Sequence, residues 1–455
     1  YMLTSGFFAG HTTAATVGSH NLSPAMVNYF YKSAYTSLQN TYGTYMDYII
    51  DSDTPLDEQY YDESAGTTWA DMLTEQGMTT AAEAYALYDE AMASGYTLSE
   101  TDQTTIDTQV STLGLYAATY GTTTDAYIAA VYGTGCNEKN FREYLKVVTV
   151  AESYAQQVRS SFTYSDADIA DEYAANPNSY DSVTYRQFLV SDPMFQTSTE
   201  DVEAGAAELT EDELTAKKEE MASRMAEDAK DNEQAFIDAA YENASESSKD
   251  SYADESYTLR SYTGSSIVEA QRDWLADSAR QEGDTTAIDV DGTWYVLYYI
   301  SCDVNDWQLP NVREIPFAAT DASDEDAMNE AKANAEAALA EYESGEQTAE
   351  AFTALVQKYT SDETATGLTE NVTPGSGSDE YNAWAFDAAR QTGDTAVVET
   401  STGYSVLFFD SYGSVYRDTL IETSLRNADY TAWYTGVTEN ASYTEQSFGM
   451  RFTHK

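Results

Sequence analysis

The chain has 455 residues, 42% of them hydrophobic, enough for globular folding and too many for one ordinary core. It carries 78 Asp and Glu against 22 Lys and Arg, a formal net charge of −56. That surface repels phosphate backbones and anionic headgroups, which excludes nucleic acid as a partner; it reads as the solvated coat of an extracytoplasmic or salt-adapted protein, or as attraction for cationic clients or divalent ions.

The first ten residues, Tyr1 to Gly10, are mostly apolar. Residues 1–13 therefore read as the remnant of a signal or anchor segment, and any membrane attachment is expected through it alone. Nothing later approaches eighteen uninterrupted apolar residues. Residues 14–22 predict a short strand, and Ser23-Pro24 predicts a helix cap with proline at the first helical position. Apolar spacing predicts a helix from Ala25 to Ile50 and others near 67–76, 79–95, 100–117, 123–131 and 137–162. Residues 14–180 thus form a mainly helical domain that closes at Asn176-Pro177-Asn178. Asp166 to Asp171 lacks the turn glycine and terminal Glu of a calcium loop and reads as a helix start behind Ser165.

Val183 to Val190 predicts the strand that opens a first module, 181–303, and Asn311 to Phe317 opens a second, 311–412. Within them one segment occurs twice. Trp274-Leu-Ala-Asp-Ser-Ala-Arg-Gln-Glu-Gly-Asp-Thr285 returns 110 residues later as Trp384-Ala-Phe-Asp-Ala-Ala-Arg-Gln-Thr-Gly-Asp-Thr395, eight of twelve positions identical. The opening strands, aligned on Arg186 and Arg313, are offset by 127. The first copy therefore carries about seventeen extra residues, expected as a loop in the acidic stretch Thr197–Asp212. Each copy reads as strand, helix, helix, helix, strand, strand, with charged helices near 211–229 and 325–344. Beyond Tyr416 a last helix carries Leu420, Ile421, Leu425 and Trp433, and Ser447 to Thr453 alternates like an edge strand. Residues 413–455 are expected to return to the helical domain, with 14–22 as the strand's partner.

Cys136 and Cys302 form no metal or redox motif; one disulfide or two inert buried thiols are both open. The 38 tyrosines suit half-buried packing or a peptide-binding surface. Gly375-Ser-Gly-Ser378 reads as a flexible turn, not a nucleophile elbow, and there is no P-loop or dinucleotide fingerprint. No cofactor and no metal are expected.

The second copy resembles the parvulin family of peptidyl-prolyl isomerases. The likeness rests on Val312-Arg313-Glu314-Ile315, on Phe352-Thr-Ala-Leu-Val-Gln-Lys-Tyr359-Thr-Ser361-Asp362, on the Gly393-Asp394 turn and on Thr402-Gly403-Tyr404-Ser405-Val406. With a helical domain ahead and a terminal segment behind, the layout is similar to folding factors of the SurA and PrsA type. That resemblance implies an α+β multidomain fold: a mainly helical domain, two parvulin-like modules of antiparallel sheet flanked by helices, and a C-terminal helix and strand. It also implies an extracytoplasmic bacterial protein, surface-bound or secreted, that binds unfolded or extended polypeptide clients. The family's two core histidines fall on Gln187 and Tyr295 in the first copy and on Glu314 and Ser405 in the second. His11, His20 and His454 lie outside both modules. Isomerase activity is therefore expected to be weak or lost. An active isomerase with a substituted site, or a structural, surface-assembly protein that self-associates, are the alternatives. Trp274 and Trp384 read either as rings that pack their helices onto the sheet or as walls of an apolar client groove, joined in the second copy by Phe386 and Tyr404.

Overall fold

The computed structural model describes residues 9, 12–195, 209–245 and 247–453. They fall into two compact units, one up to Thr163 together with Leu425 onward, the other Tyr164–Ser424.

In the first unit β1 (Ala15–Val17) and β2 (His20–Leu22) form a hairpin where one strand was expected, because Gly18, at φ 54, turns the chain between them. The C-terminal strand β13 (Tyr443–Glu445) pairs antiparallel with β1, Ala15 facing Glu445. It lies upstream of the expected Ser447–Thr453 segment, which opens instead with the helical turn Ser447–Met450. The reason is packing: Gly449 rests on the backbone of Thr13 and Ala14, where a Cβ would collide with the Thr13 carbonyl.

Helix Pro24–Tyr42 begins behind Ser23, whose Oγ accepts from the Met26 N–H at 3.3 Å. It stops short of Ile50 because Gly43 leaves helical space at φ 50. A ribbon of β3 (Tyr60–Asp62) and β4 (Thr67–Thr68) leads into helix Trp69–Ala93, which carries a Thr68/Asp71 capping box. The two helices expected around Gln76 and Gly77 are this single one. Gly77 is a contact point, not a break: a Cβ there would lie 2.9 Å from the Phe30 and Tyr31 backbone of the facing helix. Helices Glu100–Thr119, Thr124–Tyr132 and Glu138–Ser161 complete the bundle. Its centre is aromatic, with Tyr29 5.2 Å from both Phe141 and Tyr144 and Phe30 edge-on to Tyr144 at 5.0 Å. Here the tyrosines pack. The Tyr29 hydroxyl donates to Asn140 Oδ1 at 2.6 Å.

The second unit holds two four-stranded antiparallel sheets. The first joins β5 (Ser182–Val190), β6 (Leu259–Thr263), β7 (Thr285–Val290) and β8 (Thr293–Asp303) in the order β6-β5-β8-β7. The second joins β9 (Gln308–Ala318), β10 (Leu368–Thr369), β11 (Thr395–Thr400) and β12 (Gly403–Val415) in the order β10-β9-β12-β11. Their registers coincide. Gln187 faces Leu297 as Glu314 faces Leu407, and Val190 faces Trp294 as Phe317 faces Tyr404, which keeps the offsets of 127 and 110 read from the sequence. The path of each copy is strand, helix, helix, edge strand, helix, strand, strand; the edge strands β6 and β10 are additions to the expected order. The extra residues of the first copy are also divided. The offset falls to 114 at the helix caps Thr210 and Asp324, is 116 at Phe236 and Phe352, and is 109 at Leu259 and Leu368. Part of the insertion thus precedes helix Glu211–Ala229, and part lies between helix Glu233–Asn243 and β6, as the short helix Lys249–Tyr252 and the turn Glu255–Thr258. Of the expected loop Thr197–Asp212, residues up to 208 lie outside those described, and Glu211 and Asp212 already belong to the helix.

Strand alternation gives each sheet two apolar faces. One packs Phe188, Val296 and Tyr298, or Ile315, Val406 and Phe408, beneath the two long helices of its module. The other packs Val183 and Leu297 with the short helix Glu269–Leu275, or Val312 and Leu407 with helix Asp379–Ala385. The chain is an α+β multidomain protein. Among the described residues no helix is long and apolar enough to cross a membrane.

Candidate functional site

The duplicated segment builds the same clamp in both modules. Arg280 lies over the Trp274 ring at 4.0 Å and donates Nε to the Trp274 carbonyl at 3.2 Å; Arg390 lies over Trp384 at 4.7 Å and donates to its carbonyl at 3.1 Å. Each guanidinium is flanked by two carboxylates, Asp277 and Asp284 or Asp387 and Asp394. The second aspartate of each pair accepts from the backbone of Gln281 or Gln391 at 2.9 Å. The Gly-Asp turn then docks on the sheet, Gly283 donating to the Tyr299 carbonyl and Gly393 to that of Phe409. Trp, Asp, Arg, Gln, Gly and Asp thus recur because one loop geometry needs all of them. Both indoles are half-buried parts of this clamp.

A cleft of about 370 Å³ opens in the second module between the edge strand, the loop before helix Asp379–Ala385 and the β11–β12 turn. Its floor holds Glu314 on β9. Ser405, on β12 and 1% exposed, donates Oγ to Glu314 Oε1 at 2.6 Å. Residues 91 apart in sequence meet because Glu314 faces Leu407 in the ladder, so that Ser405 is its diagonal neighbour on the same face. Tyr381 forms a wall. Burial pushes its hydroxyl up to about 12, and the Glu314 carboxylate beside it adds to the rise. Ser378 caps the helix, accepting from the Tyr381 N–H at 3.2 Å while donating to the Glu399 carbonyl. Gly377 is fixed by the same wall, since a Cβ there would come within 2.7 Å of the Tyr381 ring. Thr400, Ser401 and Val372 complete the lining.

Chemically this is a negatively charged cleft with hydroxyls around its mouth. A carboxylate accepts hydrogen bonds and donates none, so it suits peptide N–H groups and cations and repels anions. Ser405, 1% exposed, is not among the residues that line the cleft, so its hydroxyl acts on whatever binds there only through Glu314.

No protein-family model matches the chain, and no curated protein matches it. Among solved structures it is similar to the crystal structure of PrsA from Bacillus subtilis, at 14% identity, over 68% of this chain and 94% of that one. The TM-score is 0.15. At that value the two chains do not superpose as whole bodies, and the likeness carries no functional argument.

Of the sequence-predicted residues, Glu314 and Ser405 are brought into contact. In the first copy Gln187 and Tyr295 hold the corresponding ladder positions, and the Tyr295 ring packs with Trp274 and Ile288. Trp384 and Phe386 share the face of Val312 and Leu407. Tyr404 does not. One residue from Ser405 on the strand, it points to the opposite face, packs under the long helices and donates to Glu399 Oε2 at 2.9 Å. A single groove of Trp384, Phe386 and Tyr404 is therefore ruled out by the two-residue period of β12. Tyr381 is the residue that sequence reasoning missed; the signal available was its place three residues after Ser378, a cap at a helix start. Both cysteines are free, Cys136 buried and Cys302 exposed, so the expectation of two buried thiols fails at Cys302. The Cys302 thiol is pushed up to about 11 by partial desolvation and by the Asp181 and Asp303 carboxylates. His20 pairs with Asp89 at 2.7 Å against Tyr85 in the helical unit, and His11 and His454 lie outside the described residues.

Proposed function

We propose that this chain is an extracytoplasmic folding factor that binds unfolded or extended polypeptides, with isomerase activity weak or absent. The observation that carries the reading is the Ser405–Glu314 hydrogen bond on the floor of the second module's cleft. These are the two positions at which the parvulin resemblance implies histidines, so the cleft keeps a joined polar pair while its chemistry is changed. Rotation about a prolyl amide needs no covalent step, only a site that favours the twisted amide over a barrier of about 18–20 kcal/mol. A carboxylate that already accepts from Ser405, beside a neutral tyrosine, supplies hydrogen bonds for holding a peptide. Aromatic Tyr381 and apolar Val372 give a side chain somewhere to rest.

A protease-coupled assay on an Xaa-Pro peptide tests the chemical half of this reading. The expected result is slow or no catalysis by the natural chain and faster catalysis by the Glu314→His, Ser405→His double variant. Turnover by the natural chain as fast as that of a histidine-bearing parvulin would contradict it.

A further inference from the structure

A second pocket of about 390 Å³ lies in the same module and shares no lining residue with the Glu314 cleft. Trp307 and Phe386 meet edge-on in its wall, with ring centroids 5.8 Å apart and planes at 81°. Pro310 and Tyr412 close the apolar lining, and Ala388 sits at the exposed rim. The two modules part company here. At the register of the repeat, Phe386 answers to Ala276, Tyr412 to Cys302 and Trp307 to Tyr180, whose hydroxyl is spent on Glu172 at 2.7 Å. The clamp around Arg280 and Arg390 has the same contacts with alanine in one copy and phenylalanine in the other. The clamp geometry therefore does not require the Phe386 ring. An open pocket walled by three aromatic rings is the kind of surface that a ligand covers.

Charge selects the ligand. Asp387 on the rim and Asp306 beside Trp307 are both exposed, and Arg390 answers two carboxylates at once. With −56 on the whole chain, an acidic segment is repelled and a basic one attracted. We propose that this pocket is a second anchoring site, taking a bulky apolar side chain carried between lysine or arginine residues on an unfolded polypeptide. The proposal rests on the polypeptide-binding reading above and adds to it the place and the class of segment.

Fluorescence anisotropy on the full chain tests it, with two labelled peptides that share one leucine- and phenylalanine-bearing centre, one flanked by lysines and the other by glutamates. The lysine-flanked peptide is expected to bind, more weakly as salt is raised, and the glutamate-flanked one not to bind. Phe386→Ala, which installs the first module's residue, and Ala388→Trp, which fills the pocket from its rim, are each expected to raise Kd roughly tenfold or more, as loss of an aromatic anchor does. Thermal melts confirm that both variants are folded. Equal binding of the two peptides, or an unchanged Kd in both variants, overturns the proposal. So does concentration-dependent self-association abolished by Ala388→Trp, which would assign the pocket to a second copy of the chain. If the natural chain still protects an unfolded client while the variants bind normally, this proposal alone falls. If it binds neither peptide nor client, the underlying reading falls with it.

Discussion

Tyrosine does the work in this chain that leucine or phenylalanine does elsewhere, and its hydroxyl sets a condition on stability. Tyr31 and Tyr185 are pushed up to about 12 by burial, as Tyr381 is with the further help of Glu314, and burial raises Tyr29 and Tyr85 as well. A phenol whose folded value lies above its ordinary 10.0 binds its proton more tightly folded than unfolded. The stability it contributes is complete below pH 10.0 and is lost as pH rises towards 12. Melting temperature is therefore expected to fall steeply across that window, while the phenolate absorbance of the folded chain lags behind that of exposed tyrosines. A melting temperature flat from pH 10 to 12 would mean that these hydroxyls are solvated.

The helix pair Pro24–Tyr42 and Trp69–Ala93 shows how far local rules carry and where packing overrides them. Gly77→Ala would ordinarily gain about 1 kcal/mol of helix propensity. Here the new Cβ meets rigid backbone of Phe30 and Tyr31 at 2.9 Å, so the expected outcome is a loss of about 1–3 kcal/mol in urea unfolding, as for other overpacked contacts. A stabilised variant would show that the two helices can separate without cost. A glycine in a helical pattern looks like a boundary, and only the facing helix reveals the use of Gly77. Caps were legible, since Ser23-Pro24 and Ser165 with Asp168 satisfy backbone donors within their own few residues. The strand registers were legible too, because the duplication measures them. The parvulin resemblance marks Glu314 and, through the 110-residue register, Ser405, and the fold brings the two into contact. Edge strands of two and five residues, β10 and β6, were not legible, being too short to display a period. The grouping of Tyr404 with Phe386 failed for a related reason: nearness in the repeat says nothing about which face of β12 a side chain takes.

Across the whole molecule, duplication has kept one scaffold and let two surfaces diverge. The clamp, the sheet order and the register are common to both modules, as a fold under structural constraint requires. The Glu314 cleft and the aromatic pocket of Trp307, Phe386 and Tyr412 are features of the second module. Both are open, and both are bordered by carboxylates. On the proposed reading, the net charge of −56 adds a long-range preference for basic clients. Light scattering from a basic, aggregation-prone client diluted out of denaturant, with and without the full chain, tests that claim most directly. The account predicts suppression of aggregation at stoichiometric amounts, fading as salt is raised; scattering unchanged by an equimolar or greater amount of the chain at low salt would contradict it.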